Sequence, residues 1–221
     1  MGDRTVSVIG VLDLQGDVAE HLDHLARLGI KGRPVKEPAA LTGLAGLIIP
    51  GGESTCLSRL LRTFGIVEAL RDECRGGMKI WGTCAGAILL ATAVLGEEPC
   101  LGLIDMVIER NSFGSQLDSF IREAVILGVS EGPLPLVFIR APKILSVGTG
   151  VEVLLRIDDY IAAAESPGVL ATVFHPELTG SLAFHRYFAR KCGIELAAPG
   201  MRSDVDPTWT GSSWTRLARI I

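Results

Sequence analysis

The stretch Gly82-Thr83-Cys84-Ala85-Gly86 most constrains how this chain can fold. An apolar run over 78–81 precedes it, and small and aliphatic residues over 87–91 follow it. Glycines two positions either side of Cys84 allow a sharp strand-to-helix turn, because backbone segments can approach closely there. Such a nucleophile elbow holds its central side chain above the edge of a sheet. We therefore predict that Cys84 is a nucleophile at the end of a buried strand.

Cys84 would also lie at the start of the following helix. The free N–H groups and the positive dipole end found there favour a thiolate, the form of cysteine that attacks carbonyl carbon. A buried structural cysteine is the alternative interpretation, since most cysteines in apolar surroundings are of that kind.

The pattern of apolar runs predicts one α/β domain. Nearly continuous apolar segments, typical of parallel strands covered on both faces, occur over 5–12, 44–49, 78–81 and 169–174. Helical spacing follows these segments over about 18–29, 56–61, 68–77 and 181–191. We predict a flavodoxin-like three-layer sandwich with a mostly parallel central sheet. Short strand-like runs over 103–110, 119–127, 136–140 and 151–157 indicate an antiparallel extension of that sheet.

Three residues around the first helix carry simple structural expectations. Asp17 can cap the helix at its first turn. His21 and His24 have no neighbouring set of ligands, so we expect ordinary solvated or half-buried histidines.

Composition excludes several classes of function. The net charge of −4 gives no electrostatic reason to bind nucleic acid or an anionic membrane. No apolar run approaches the roughly 20 residues that span a bilayer. The five cysteines are odd in number and never form C-x-x-C, which indicates neither a disulfide framework nor a zinc site. We expect a protein of the reducing cytoplasm that holds no metal.

The loop Pro50-Gly51-Gly52-Glu53-Ser54-Thr55 follows the second of the predicted strands. Backbone N–H groups in such a loop can point at a developing oxyanion. The alternative is a simple tight connection, and the loop does not match the phosphate-binding G-x-x-x-x-G-K-[ST] pattern.

His175-Pro176-Glu177 ends the last predicted strand. Proline biases the preceding residue towards extended geometry, in which residues two apart project to the same side. His175 would take the thiol proton of Cys84 and later protonate the leaving amine, while Glu177 would orient the imidazole. The alternative is a histidine beside an unrelated surface glutamate.

Six motifs in order resemble the glutaminase subunits of pyridoxal 5′-phosphate synthase, the PdxT family, a branch of the class I glutamine amidotransferases. They lie within about residues 5–192 and read Gly-Val-Leu-x-Leu-Gln-Gly (10–16), Pro-Gly-Gly-Glu-Ser-Thr (50–55), Gly-Thr-Cys-Ala-Gly (82–86), Glu-Arg-Asn-Ser-Phe-Gly (109–114), Phe-Ile-Arg-Ala-Pro (138–142) and Phe-His-Pro-Glu-Leu-Thr (174–179). The elbow and His-Pro-Glu occur across class I amidotransferases, whereas the second, fourth and fifth motifs together mark this branch. Asp13 stands where the family usually has a small residue, and the C-terminal tail is longer than usual.

The resemblance implies roles for individual residues. Cys84, His175 and Glu177 would form the catalytic triad, and Gly52 and Ala85 would supply the N–H groups of the oxyanion hole. The residues that would hold glutamine are Gly52, Glu53, Ser54, Arg110, Ile139 and Arg140. An arginine suits the substrate α-carboxylate, and we expect Glu53 to receive the α-ammonium. Without their motifs, Arg110 and Arg140 would be interpreted as members of surface ion pairs.

The resemblance also implies a partner. The chain would hydrolyse L-glutamine and pass ammonia to the synthase (lyase) subunit in a hetero-oligomer, without a cofactor of its own, and docking of the synthase would complete the oxyanion hole. A glutaminase for another synthase, such as the one making imidazole glycerol phosphate, and a cysteine redox sensor or binding protein on the same fold remain alternatives. We expect the amidotransferase domain over 1–195 and a flexible tail over 196–221, whose apolar residues could instead form a terminal helical turn.

Overall fold

The computed structural model describes residues 7–110 and 119–196 of the chain. The strands are β1 (Val8–Leu12), β2 (Lys31–Val35), β3 (Gly46–Ile49), β4 (Lys79–Thr83), β5 (Ala91–Val94), β6 (Ile104–Glu109), β7 (Ser119–Ala124), β8 (Leu134–Ile139), β9 (Lys143–Val147), β10 (Glu152–Ile157), β11 (Tyr160–Glu165) and β12 (Val169–Thr172). The helices are α1 (Val18–Arg27), α2 (Ser54–Thr63), α3 (Ile66–Arg75), α4 (Ala85–Leu90) and α5 (Ala183–Lys191). Residues 111–114 of the fourth motif, and all of the predicted tail except Leu196, lie outside the described residues.

Ten of these strands form one sheet. Its order is β2-β1-β3-β4-β12-β11-β9-β6-β5, and β10 pairs with β11. The strands β2, β1, β3, β4 and β12 run parallel, whereas β11, β9 and β6 continue the sheet in antiparallel fashion. The predicted α/β class, with a parallel sheet and an antiparallel extension, is therefore confirmed.

Helices cover both faces of the parallel part, as two consecutive residues of β4 demonstrate. The ring of Trp81 packs against Phe184 and Phe188 of α5. A Cβ atom on Gly82, which faces the opposite side, would meet the backbone of Gly86 and the side chain of Leu90 in α4. Because successive side chains of a strand alternate between its faces, α5 and α4 lie on opposite sides of the sheet.

The structure contains strands, at the edge and in the interior of the sheet, that were not predicted from the sequence. The strand predicted over 44–49 is β3, the third along the chain, because β2 was missed. Its sequence Lys-Gly-Arg-Pro-Val has Val35 as its one aliphatic side chain besides the proline ring, and an edge strand tolerates proline. The alanine-rich β11 was also missed, although all but its last residue are buried.

The segments predicted over 119–127 and 136–140 do not extend the main sheet. Within the described part of the chain they are β7 and β8, which pair with each other as a separate two-stranded sheet. Phe120 stacks on Phe138 across this pair, with ring centroids 4.7 Å apart. The backbone N–H of His175 donates to the carbonyl of Val137 at 2.8 Å, so this small sheet packs directly over the end of β12.

Four neighbouring parallel strands bring their carboxyl ends together at one edge of the sheet. These ends lead into Asp17 after β1, Gly52 after β3, Cys84 after β4 and His175 after β12. Open α/β sheets bind their ligands at such an edge. Within the two described ranges, no helix has the length and apolar character needed to cross a membrane.

Candidate active site

Cys84 occupies a strained elbow between β4 and α4. Its backbone has φ 47° and ψ −102°, a conformation that non-glycine residues rarely adopt. A Cβ on Gly86 would collide with the carbonyl oxygen of Ile49, and one on Gly82 would collide with the backbone of Gly86. The two glycines are therefore required by close approach, which is the geometric reason for predicting the elbow.

The imidazole of His175 lies beside Cys84, and only 4% of the residue is exposed. Burial by itself would lower the pKa of His175. The negative charges of Cys84 and Glu177, with the Asp17 carboxylate 3.3 Å from Nδ1, outweigh burial and hold this pKa well above its usual range. The arrangement thus favours the imidazolium form of His175 beside the sulfur of Cys84, and a neighbouring cation promotes nucleophilic attack by cysteine.

Glu177 is the third member of this cluster. Its Oε1 accepts a hydrogen bond from His175 Nδ1 at 2.7 Å. The prediction that His175 and Glu177 meet is confirmed, but the extended geometry invoked for it is wrong. Pro176–Leu178 form a 3₁₀ turn, and proline at its start supplies the φ that such a turn needs. Burial raises the pKa of Glu177 to about 7, against the opposing effect of His175.

Gly52 and Ala85, the predicted oxyanion-hole residues, directly follow Gly51, which packs against His175, and Cys84, respectively. Gly52 has φ 153°, which glycine adopts without steric cost. The amide after it, that of Glu53, donates to Gln15 Oε1 at 3.1 Å. Ala85 is the first residue of α4. Their oxyanion role stays a prediction.

The predicted glutamine-binding residues fall into two groups around Cys84. Glu53 accepts from the amides of Thr55 and Cys56 and so caps α2. These backbone hydrogen bonds outweigh desolvation and lower the pKa of Glu53. Arg110 Nη2 lies 3.2 Å from Glu53 Oε1, and its Nη1 contacts Glu97. Any α-ammonium bound by Glu53 would therefore share that carboxylate with Arg110.

The other predicted glutamine-binding residues approach from the loops around the site. Ser54 begins α2 and is buried. The carbonyl of Ile139, at the end of β8, accepts from Cys84 Sγ at 3.9 Å. Arg140 follows with φ 44° and an exposed side chain. The structure brings Ile139 to the nucleophile, while the roles of Ser54, Ile139 and Arg140 towards glutamine stay predictions.

The expectation for His21 and His24 is wrong, because both side chains are buried. His21 Nδ1 lies 2.9 Å from His185 Nε2, and His24 Nδ1 lies 3.1 Å from His185 Nδ1. Burial lowers the pKa of each histidine, that of His24 to about 4. Their burial could have been predicted from the helical spacing, since both residues lie on the side of α1 that carries Leu25.

Asp17 also departs from its expected role. It is the residue before α1, yet its side chain makes no capping hydrogen bond to the helix. Its Oδ2 instead lies 3.3 Å from His175 Nδ1. No spacing rule in the sequence connects a residue after β1 with one after β12.

Known proteins resemble this chain in both sequence and fold. The pattern of the SNO glutamine amidotransferase family matches residues 11–194. The pyridoxal 5′-phosphate synthase subunit PdxT of Syntrophus aciditrophicus is 60% identical over 216 residues, covering 98% of this chain and 96% of the relative. The Streptomyces coelicolor protein of the same name is 49% identical over 198 residues, covering 88% and 98%.

Solved structures agree with this grouping. A crystal structure of a glutamine amidotransferase superposes with a TM-score of 0.80 at 44% identity, covering 85% of this chain and 100% of that one. The structure of PurLQS from Thermotoga maritima shares the fold at a TM-score of 0.61 and 16% identity, covering 84% and 99%. The chain belongs to the SNO glutamine amidotransferase family.

Proposed function

We propose that this chain is the glutaminase subunit of pyridoxal 5′-phosphate synthase. It hydrolyses L-glutamine to L-glutamate and ammonia and delivers the ammonia to the synthase subunit. The observation that carries the proposal is Cys84 on its strained elbow, beside an imidazole that Glu177 orients at 2.7 Å. The names of the PdxT relatives, which align over nearly the whole chain, support the choice of partner.

In the first half of the reaction the Cys84 thiolate attacks the side-chain amide carbon of glutamine. A carbon–sulfur bond forms, and negative charge develops on the amide oxygen, where the N–H groups of Gly52 and Ala85 would stabilise it. Imidazolium of His175 gives its proton to the amide nitrogen as the carbon–nitrogen bond breaks. Ammonia leaves, and a γ-glutamyl thioester remains on Cys84.

In the second half a water molecule attacks the thioester. Neutral His175 takes a proton from that water, the carbon–sulfur bond breaks, and glutamate departs as Cys84 regains its thiolate. Glu177 contributes to both halves, since its carboxylate stabilises the imidazolium and fixes the ring orientation.

Substrate recognition would involve both sides of the elbow. Arg110 suits the α-carboxylate because its planar guanidinium binds two oxygens at once. Glu53 would take the α-ammonium, and Gly52, Ser54, Ile139 and Arg140 would line the same site. The contact between Arg110 and Glu53 supports this role, because it places an anion-binding and a cation-binding group side by side.

The remaining features of the proposal concern assembly and setting. The catalytic domain spans 1–195, works without a metal or cofactor of its own, and acts in the cytoplasm as part of a hetero-oligomer with the synthase. All five cysteines are free, which supports a reducing setting. A reorientation around Gly52 on docking would complete the oxyanion hole, because glycine changes φ at little cost.

The direct test measures ammonia release from glutamine by the chain alone and with a pyridoxal 5′-phosphate synthase subunit. We expect release to rise strongly with the synthase and to fall at least about 1000-fold in Cys84→Ala. Cys56→Ala, which removes an exposed cysteine, is the matched control and should keep full activity. Absence of release from the folded wild-type mixture would overturn the proposal, and oxidation of Cys84 to a sulfenic acid without turnover would favour a redox sensor.

A further inference from the structure

Asp17 lies in a position where an aspartate ordinarily stabilises a helix. An aspartate before the first helical residue accepts from an amide of the first turn and so stabilises the helix. Here the backbone of Asp17 has φ −81° and ψ 53°, outside the extended region usual for a cap. Its side chain turns away from α1 and is buried, with 6% of the residue exposed. A good capping residue that does not cap its helix indicates another use.

The carboxylate of Asp17 is directed at the catalytic histidine. Its Oδ2 lies 3.3 Å from His175 Nδ1, while Oε1 of Glu177 lies 2.7 Å from the same nitrogen. Nδ1 carries one proton, and the shorter distance gives it to Glu177. Among the residues that the structure describes, Oδ2 of Asp17 has no hydrogen-bond partner of its own.

Close packing holds Asp17 in this place. A Cβ on Gly51 would collide with the imidazole of His175 and come within 3.2 Å of Asp17 Oδ2. A Cβ on Gly16 would collide with the carbonyl oxygen of Gly51. The turn that carries Asp17 and the loop beside His175 therefore fit together without space for larger residues.

The charges around His175 explain why a buried carboxylate is tolerated there. The ring faces Cys84 from the elbow, Glu177 from its own 3₁₀ turn, and Asp17 and His21 from the segment after β1. Burial holds the pKa of His21 below its usual range, so that residue is neutral. A buried, unpaired carboxylate costs several kcal/mol unless a positive charge faces it, and the imidazolium of His175 is the group positioned to do so.

The arrangement differs from that of a metal site. The ligand atoms of Asp17, His175 and Glu177 lie within 4.8 Å of one another. However, 2.7 Å between Nδ1 and Oε1 is a hydrogen-bond distance, which leaves no place for an ion between them. We therefore assign the cluster to the sharing and stabilisation of a proton.

We propose that Asp17 is a positioning residue whose carboxylate, as a second partner of His175 beside Glu177, stabilises the imidazolium and sets the upper pH limit of glutamine cleavage. This proposal rests on the proposed function, because it concerns the same histidine. The imidazolium donates the proton that allows ammonia to leave. Activity is therefore lost at high pH as His175 loses this proton, and a nearby negative charge delays that loss.

The test is the pH profile of kcat/KM for the complete complex with the synthase. In Asp17→Asn, which keeps the shape of the side chain and removes its charge, the alkaline limb should move to lower pH by about one unit. The acid limb should not move to higher pH. Asp23→Asn is the matched control, because it removes a mostly exposed aspartate from α1, and it should leave both limbs in place.

A second neutral variant separates charge from shape. Asp17→Ser retains a hydroxyl suited to capping α1, so its folding should be preserved, and it should give the same shift of the alkaline limb. If the wild-type complex is active and the limb stays in place in either folded variant, the proposal is overturned.

An NMR titration tests the role of Asp17 without requiring any turnover of glutamine. In the isolated chain labelled with carbon-13 histidine, the His175 signal is the one that disappears in His175→Asn. We expect this signal to titrate about one pH unit lower in Asp17→Asn than in the wild type or in Asp23→Asn. An unchanged titration would overturn the role of Asp17, whereas failure of ammonia release by the wild-type complex would overturn only the proposed function.

Discussion

Nε2 of His21 lies 3.5 Å from Oε2 of Glu177, on the opposite side of that carboxylate from His175. Glu177 is thus held between two imidazoles, one charged and one neutral. When His21, His185 and His24 are all neutral, each ring carries one N–H. One placement of these three protons directs an N–H at the carboxylate of Glu177. In it His24 donates to His185, His185 donates to His21, and His21 directs its Nε2–H towards Glu177 and Thr83.

This assignment predicts different effects for two substitutions of His21. The side-chain amide of asparagine lies near the former position of Nδ1, so His21→Asn loses the N–H that faces Glu177. The longer side chain of glutamine places its amide near the former position of Nε2 and can keep that contact. We expect His21→Asn to lower kcat about tenfold with little change in KM, since the carboxylate of Glu177 loses the N–H dipole that faces it at 3.5 Å and then orients His175 less firmly. His21→Gln should stay within about threefold of the wild type. Equal losses in both variants would contradict the assignment.

The buried histidines should also make the fold sensitive to acid. Burial, and then the charge of Arg27, lower the pKa of His24 to about 4, from about 6.5 in an unfolded chain. Between these values the unfolded chain binds more protons, so stability falls as pH decreases from 6.5 to 4. The loss due to His24 is about 3 kcal/mol, at about 1.4 kcal/mol per pH unit.

Urea unfolding of the wild type and His24→Gln between pH 7 and 4 measures this loss. The neutral variant should lose stability less steeply, by about 3 kcal/mol over that range. Asp72→Asn serves as the control, because it removes an exposed carboxylate of α3 that is not among the groups that shift the pKa of His24. Parallel curves for the wild type and the His24 variant would show that this histidine is not the acid-sensitive group.

Sequence reasoning found the site where local rules determine geometry. The elbow at Cys84 needs glycine at two positions for reasons of close approach, and those glycines are visible in the sequence. The meeting of His175 with Glu177 follows from two residues of separation, although a 3₁₀ turn replaced the extended segment. These parts needed no knowledge of distant segments.

The missed parts depend on which strands become neighbours. Asp17 reaches His175 because β1 and β12 flank β3 and β4 in the sheet, an order that no local pattern specifies. The strand β2 buries Val35 alone of its five residues, because it lies at the edge of the sheet, and a single apolar residue does not mark a strand in the sequence. The alanines of β11 favour a helix by propensity, and pairing with β10 and β12 overrides that preference.

Glu53 should contribute to stability as well as to substrate binding. In Glu53→Gln the carboxylate that accepts from two amides of α2 becomes a neutral amide, and we expect a loss of about 1 kcal/mol in the free energy of unfolding. Glu97→Gln also removes a charged partner of Arg110 but caps no helix, so its stability should change by less than about 0.5 kcal/mol. Thermal and urea unfolding of both variants measures the difference, and equal losses would contradict the capping role.

Arg110 offers a test of substrate recognition that leaves the triad intact. Arg110→Lys keeps the positive charge but loses the planar fork that binds two carboxylate oxygens. We expect KM for glutamine to rise at least about tenfold while kcat changes little, because the contact is present in ground and transition states alike. Arg156→Lys, on the exposed side of β10, is the control and should be unchanged. An unaltered KM would restrict Arg110 to its ion pairs with Glu53 and Glu97.

The elbow itself can be tested by adding a single methyl group. Gly86→Ala would direct a Cβ into the carbonyl oxygen of Ile49, and a backbone atom cannot move away as a flexible side chain can. Displacing β3 or α4 to relieve this overlap should lower the free energy of unfolding by about 1–3 kcal/mol. It should also lower kcat, because α4 carries the Cys84 turn. Gly132→Ala is the matched control, since its added Cβ meets no atom within 4 Å. Urea unfolding and ammonia release measured together distinguish the outcomes: a stable, fully active Gly86→Ala would show that Cys84 does not need the close approach of β3 and α4.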